Sequence, residues 1–314
     1  MTKRLPLPRL GGGGYASGPQ DPTSRLEFRR ETSAKMPRPT QLTYTAPLLP
    51  EYAKPPVVEV ACSMQFEPID KLHAGRLGLL WEGYRDRYPL VEQQPPLSPI
   101  REQFEATPMR LGFSFETFPM PRVWFLKPDG TRLVQVQRDH FIVNWRKLDT
   151  DVEYPRYVSI RETLIEELAH FQTFLEREGL GPIRVVQTEL TYVNQIDART
   201  ADGSRKPLSQ IVRVWSGDEA KGKLPRFEET SFHARYVMRD GDKPVGRLHI
   251  NLEPQLLGKD NAPVYALTVV ARGVPPTPDV DGALASLDRG HEAIVEGFTA
   301  ITTDEMHAIW ERQK

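Results

Sequence analysis

Two stretches near the middle of the second half set polar side chains at alternate positions, the pattern that strand chemistry requires. If Phe232, Ala234 and Tyr236 face a core beside Leu248, Ile250 and Leu252, then His233, Arg235, Arg247, His249 and Asn251 share the opposite face. These are mostly hydrogen-bond donors, and together they suit an anion or a carboxylate ligand. Two histidines on adjacent strands could begin a metal site, but no third ligand accompanies them. The same pattern also describes the plain solvated side of an antiparallel pair.

A second group is Asn144, Arg146, Tyr154, Arg156 and Tyr157. Asparagine amides and guanidinium forks bind planar carboxylates, phosphates or bases. A strand-to-helix crossing is expected to gather them near one sheet edge. The competing reading is a rigid Tyr154-Pro155 corner that the arginines lock by bonding carbonyls or Glu153. Third, Asp288 and His291 sit three apart, as a carboxylate orienting a histidine for acid/base work would. His291 nevertheless falls within an apolar helical stripe, where a histidine is ordinarily a core residue. Cys62 lies in an apolar strand with no sign of an activated thiolate. Gly11 to Gly14 precedes no strand–helix unit, so neither a phosphate loop nor a dinucleotide fingerprint is present. No cofactor and no metal are expected.

The elements that must position these groups read as follows. Val57 to Phe66 is β-branched and apolar, a buried strand. Asp70 can cap a helix reaching Tyr88, with Leu77, Leu80, Trp81, Tyr84 and Tyr88 on one stripe. Residues 89–121 are proline-rich and read as irregular, their aromatics (Phe104, Phe113, Phe115, Phe118) packing back on the core. A meander follows over 122–127, 131–137 and 140–146, with Pro128-Asp129-Gly130 as its first turn. In its last strand Phe141, Val143 and Trp145 share one face; His140, Ile142, Asn144 and Arg146 share the other. Ser159 and Glu162 have capping-box spacing for a helix with Ile160, Leu164, Leu168, Phe171 and Leu175 inward, stopped at Gly179. Residues 183–196 alternate as a long strand. A polar insertion over 197–226 carries Leu208, Ile211, Val212 and Trp215 and reads as a lid, a docking element or a loop folded on itself. Strands near 229–238, 245–253 and 263–272 precede a helix over 281–301. Thr302 and Glu305 then have capping-box spacing for a last short helix. The order strand, variable segment, three-strand meander, helix thus occurs twice, which predicts an α+β fold of duplicated units with helices packed on one side of antiparallel sheets.

At the meander and beyond, the sequence resembles a sporadically distributed family of uncharacterised bacterial proteins. The resemblance rests on Gln135-Val136-Gln137, Asn144-Trp145-Arg146 and Tyr154-Pro155-Arg156-Tyr157. Later landmarks are Glu189-Leu190-Thr191-Tyr192-Val193-Asn194 and Asp288 with His291. It runs from about Pro55 to the C-terminus and implies a sporadically inherited bacterial gene of the kind associated with accessory or mobile functions. It implies no reaction.

Composition narrows the remaining classes. Of the 314 residues, 39% are hydrophobic, enough for a core, and Lys+Arg (41) nearly balances Asp+Glu (42). From Met1 to Lys35 seven basic residues face three acidic ones, so the tail carries +4 and the rest −5 of the total −1. Residues 1–54 read as a disordered basic tail, with Met36 as an alternative start. The globular domain is expected over 55–314, in halves 55–180 and 181–314. A single cysteine excludes an internal disulfide. No apolar run reaches membrane-spanning length and Leu5-Pro6-Leu7-Pro8 is too short for a signal peptide, so the expected location is the cytoplasm. Nucleic acid could be met only through the basic tail. The resulting expectation is a non-enzymatic module binding a protein or small-molecule ligand through His233, Arg235, His249, Asn251, Asn144 and Arg146. The alternative is an enzyme acting on an anionic substrate through the same His/Arg/Asn face.

Overall fold

Nine strands pair antiparallel throughout in one sheet. They are β1 (Val57–Phe66), β2 (Leu90–Gln94), β3 (Arg122–Leu126), β4 (Arg132–Gln137), β5 (His140–Arg146), β6 (Val185–Asp197), β7 (Phe232–Asp240), β8 (Lys243–Leu257) and β9 (Ala262–Gly273). Their spatial order is β2-β3-β4-β5-β1-β6-β9-β8-β7. The computed structural model describes residues 44, 48–104, 120–148, 152–200, 205–215, 229–258 and 261–314, all within the unit Leu42–Lys314. The fold is α+β, and the last strand of each meander block lies inside the sheet: β5 returns to β1, and β9 returns to β6.

Alternation decides which face is covered. Val60, Cys62, Met64 and Phe66 of β1 point the same way as Phe141, Val143 and Trp145 of β5, and all are buried. Leu190 and Tyr192 of β6, Val269 and Ala271 of β9, and Leu248 and Ile250 of β8 continue this face across the sheet. Two long helices cover it. α2 (Arg156–Arg177), which follows α1 (Ala74–Tyr84), packs on β5 and β1 through Ile160, Leu164, Leu168 and Phe171. α3 (Val280–Ile301) packs on β6, β9 and β8 through Leu287, Ile294 and Phe298. Gly290 lets α3 approach closely, because a Cβ there would sit 3.1 Å from the Ala271 Cβ. Burying such side chains stabilises by about 1.5–3 kcal/mol each.

Several boundaries depart from the sequence reading. α1 starts at Ala74 with His73 at its N-cap, not at Asp70. α2 begins at Arg156, three residues before Ser159, with Pro155 as its N-cap, so Ser159 lies inside the first turn. Its end is as expected: Gly179 has φ +61° and the Leu180 N–H reaches the Leu175 carbonyl at 2.9 Å. α4 (Asp304–Ile309) is capped by Thr303, not Thr302, which instead bonds the Phe298 carbonyl and His307. β2 was expected to be irregular chain. It is an edge strand whose first four side chains are all exposed, so it carries no inward-outward alternation to read.

Packing against the core also begins before Pro55. Tyr52 is 4% exposed, packs against Phe298, His307 and Trp310, and pairs with Arg312 as an isolated bridge. Tyr44 stands edge-on to Tyr157. One buried tyrosine contributes enough apolar area to tether an otherwise polar, proline-rich segment. Residues 1–43, which hold the basic stretch, lie outside the described residues, as do Phe113, Phe115 and Phe118. Of the 197–226 insertion, the described part buries Leu208, Ile211 and Val212, with a 3-10 turn at Leu208–Gln210, and Trp215 packs against the core. No described helix is long and apolar enough to cross a membrane.

Candidate binding face

The sheet face opposite the helices is lined by polar side chains in cross-strand rows. Gln137 on β4, His140 on β5, Gln65 on β1 and Gln187 on β6 are direct register partners in sequence across the four strands. The next row runs Gln135, Ile142, Ser63, Glu189, Arg272 and Arg247. A third carries Asn144, Ala61, Thr191, Val270, His249 and Arg235. Gln65 and Gln137 are each 6% exposed and Gln187 is 4% exposed, which polar groups on a bare face would not be.

What covers them is a strap, residues 95–104, lying across the strands. Gln137 accepts the Leu97 N–H at 2.8 Å and returns its own amide N–H to the Leu97 carbonyl at 2.9 Å. Gln65 accepts the Ile100 N–H at 3.0 Å, and Gln187 accepts the Glu102 N–H at 2.7 Å. The strap then delivers the Glu102 carboxylate into the basic end of the face. Arg247 Nη1 donates to Oε2, His249 Nε2 lies 2.7 Å from Oε1, and Arg272 Nη1 is 3.7 Å away. Arg247 also donates to the Gln103 carbonyl at 2.7 Å and stacks over the Phe104 ring.

Electrostatics follow from this packing. Burial works to raise the Glu102 carboxyl, but bonds from Arg247 and His249 outweigh it and hold it below its ordinary value. Burial pushes His249 down, against the pull of Glu102. A neutral His249 must then carry its proton on Nε2 to meet the carboxylate, and Arg247 supplies the standing positive charge.

The sequence-predicted residues distribute unevenly over this geometry. The parity of the β7–β8 hairpin places His233 opposite Asn251 and Arg235 opposite His249, with Phe232, Ala234 and Tyr236 on the other side. Of the six ligand candidates only His249 touches the carboxylate. His233 stacks with His249 at 5.9 Å between centroids, and Arg235 is exposed beside it. Asn251 bonds Glu253. Asn144 belongs to a relay on the same face: Arg122 donates to Gln135, Gln135 to Asn144, and Asn144 to Glu59. A cavity of ≈ 310 Å³ opens between this relay and the strap.

Arg146 does not join a ligand site. Its guanidinium donates to the Gly130 carbonyl at 2.9 Å and lies over Trp124, so it locks the meander turn. Nor does the strand-to-helix crossing gather its polar residues at a sheet edge. β5 is an interior strand, and the chain crosses from one sheet face to the other, leaving Tyr154, Arg156 and Tyr157 on the helix side. There Tyr154 and Tyr192 share a hydroxyl bond of 2.8 Å, and Arg156 donates to the Tyr52 carbonyl.

Asp288 and His291 likewise take separate partners. Arg161 and the Tyr157 hydroxyl bond Asp288, whereas His291 Nδ1 lies 3.1 Å from the Tyr192 hydroxyl and its ring stacks on Tyr157 at 4.1 Å. Burial lowers His291 to about 4, so it is neutral at pH 7. Burial, with the Asp288 charge, raises the Cys62 thiol to about 12. These groups line or underlie a second cavity, ≈ 340 Å³, between α2 and α3. Among the described residues no group of three or more His, Cys, Asp or Glu could hold a metal ion.

Sequence reasoning missed Glu102, Arg272 and the glutamine row. A signal was available: Gln65, Gln137 and Gln187 all sit at open-face parity in strands whose other face is apolar. Comparison with known proteins finds no matching family model, no matching curated protein and no matching solved structure.

Proposed function

We propose that the chain is a non-enzymatic binding module whose ligand presents a carboxylate to the open sheet face. The observation that carries this reading is the Glu102 side chain, 7% exposed, seated between Arg247 and His249. A guanidinium and an imidazole N–H that already hold a carboxylate have the geometry to hold another. The enzymatic alternative would use the His/Arg/Asn face or Asp288 with His291; on that face His249 is already engaged by Glu102, while Asp288 is held by Arg161 and Tyr157 and His291 meets Tyr192.

The test is titration of the Glu102→Ala chain with glutarate, followed through backbone amide shifts. Saturable shifts centred on Arg247, His249 and Arg272 and abolished by Arg247→Ala support the reading. No shifts at any concentration up to tens of millimolar overturn it.

Two further parts belong to this reading. The sheet is built from two copies of one unit, supported by the matching sequence of meander, returning strand and helix on either side of the β1–β6 seam. The chain is also a member of the sporadically distributed bacterial family it resembles, acting with the products of neighbouring genes. Independent superposition of the two halves and a survey of gene neighbours test these points.

A further inference from the structure

We propose that the strap is a resident pseudo-ligand and that the partner of this face is an extended peptide segment bearing an acidic residue. The inference rests on the carboxylate reading above and adds the peptide backbone to it.

The strap is recognised mainly through atoms that every peptide has. Gln137, Gln65 and Gln187 meet the backbone N–H groups of Leu97, Ile100 and Glu102, and Gln137 also meets the Leu97 carbonyl, which reproduces one rung of a strand ladder with a side chain. The spacing suits an extended chain. Two strand steps from β4 to β1 span about 10 Å, and three extended residues from 97 to 100 cover about the same distance. Of the positions between, Pro99 has no N–H, and Ser98 and Arg101 are exposed. Proline also holds the chain extended before it binds, which lowers the ordering cost. Specificity then comes from one side chain, the carboxylate that reaches Arg247 and His249.

Among the described residues, little else holds the strap down. Ser98 and Pro99 are exposed, and Ile100 is 44% exposed, so apolar burial contributes little. Each backbone-to-glutamine bond adds little net, since water or a competing peptide can replace it. A partner strand with the same donor spacing and a suitably placed Asp or Glu would form the same bonds in its place.

The experiment uses the full chain with residues 97–102 replaced by Gly/Ser of equal length, titrated with a synthetic peptide of residues 95–104. The expected result is saturable binding at least ten-fold tighter than glutarate. It weakens at least ten-fold when the peptide's glutamate becomes glutamine, and likewise when the host carries Gln65→Ala with Gln187→Ala. Should glutarate bind through Arg247 while the peptide binds no tighter and ignores the glutamine changes, the peptide inference fails and the carboxylate reading stands. If neither probe binds, both fail. Should the replaced chain not fold, the wild-type chain decides: excess peptide must accelerate hydrogen exchange at Leu97, Ile100 and Glu102, and unchanged exchange overturns the inference.

Discussion

Arg161 on α2 grips Asp288 on α3 through two bonds, Nε to Oδ1 at 2.8 Å and Nη2 to Oδ2 at 3.0 Å. The pair ties α2 to α3 above the central strands. Both side chains are largely buried, so removing one leaves an uncompensated charge. Arg161→Ala should cost about 3–5 kcal/mol in urea melts. Arg161→Met together with Asp288→Leu should recover most of that loss, since a buried pair replaced whole by apolar groups is often neutral.

The inward face of α2 can be checked at two positions. Leu164 and Phe171 are both fully buried, and Phe171 stacks on Phe141 at 5.2 Å. Leu164→Ala and Phe171→Ala should each destabilise by about 2–5 kcal/mol. Effects near zero in equilibrium unfolding would place another surface against the sheet.

His291 should shape the acid limb of stability. Its folded pKa of about 4 lies below the unfolded value near 6.5, so the unfolded chain takes up a proton first as pH falls. Its contribution is complete above about pH 6.5 and is lost progressively toward pH 4, at most about 3 kcal/mol. His291→Phe should flatten this part of the profile measured by urea melts at stepped pH.

Local opening of the strap should respond to one side chain. Glu102→Gln should abolish amide protection at Leu97, Ile100 and Glu102 in hydrogen exchange, while protection in β1 and β6 stays intact. Acid should act in the same direction. Glu102 has a folded pKa below its ordinary value, so its contribution is present above the unfolded carboxylate pKa and disappears as pH falls through the folded one.

The N-terminal segment divides at a testable point. A chain beginning at Met36 keeps Tyr52 and should melt at an unchanged temperature. A chain beginning at Pro55 loses the packing of Tyr52 on Phe298, His307 and Trp310 and should melt several degrees lower.

Much of the scaffold was legible because it depends on local periodicity. The limits of β1 and β5 follow from their concentration of apolar and β-branched residues, and the hairpin parity that joins His233 with His249 follows from alternation alone. The binding face was only half legible. Arg247 and His249 could be placed on it, but their partner Glu102 lies 145 residues away from Arg247 in the chain, on a segment with no helix or strand period. Nothing local in residues 95–104 says that they cross a sheet. The clue lay in the strands, where glutamines stand at positions that a solvated face would not bury. The split of Asn144 and Arg146 from Tyr154 and Tyr157 was hidden for a related reason: which side of a sheet a connection emerges on is a property of topology, not of the residues it carries.

The seam between β1 and β6 has a consequence for the chain as it is made. Until β6 arrives, β1 has a partner only in β5 and offers its other side as a bare ten-residue edge whose one charge is Glu59. A protein cut short by premature termination after α2 would keep that edge open permanently, a template for pairing with other copies of itself. Fragments ending near residue 180 should therefore accumulate as insoluble aggregates, whereas the finished chain shields the same strand at the centre of its sheet.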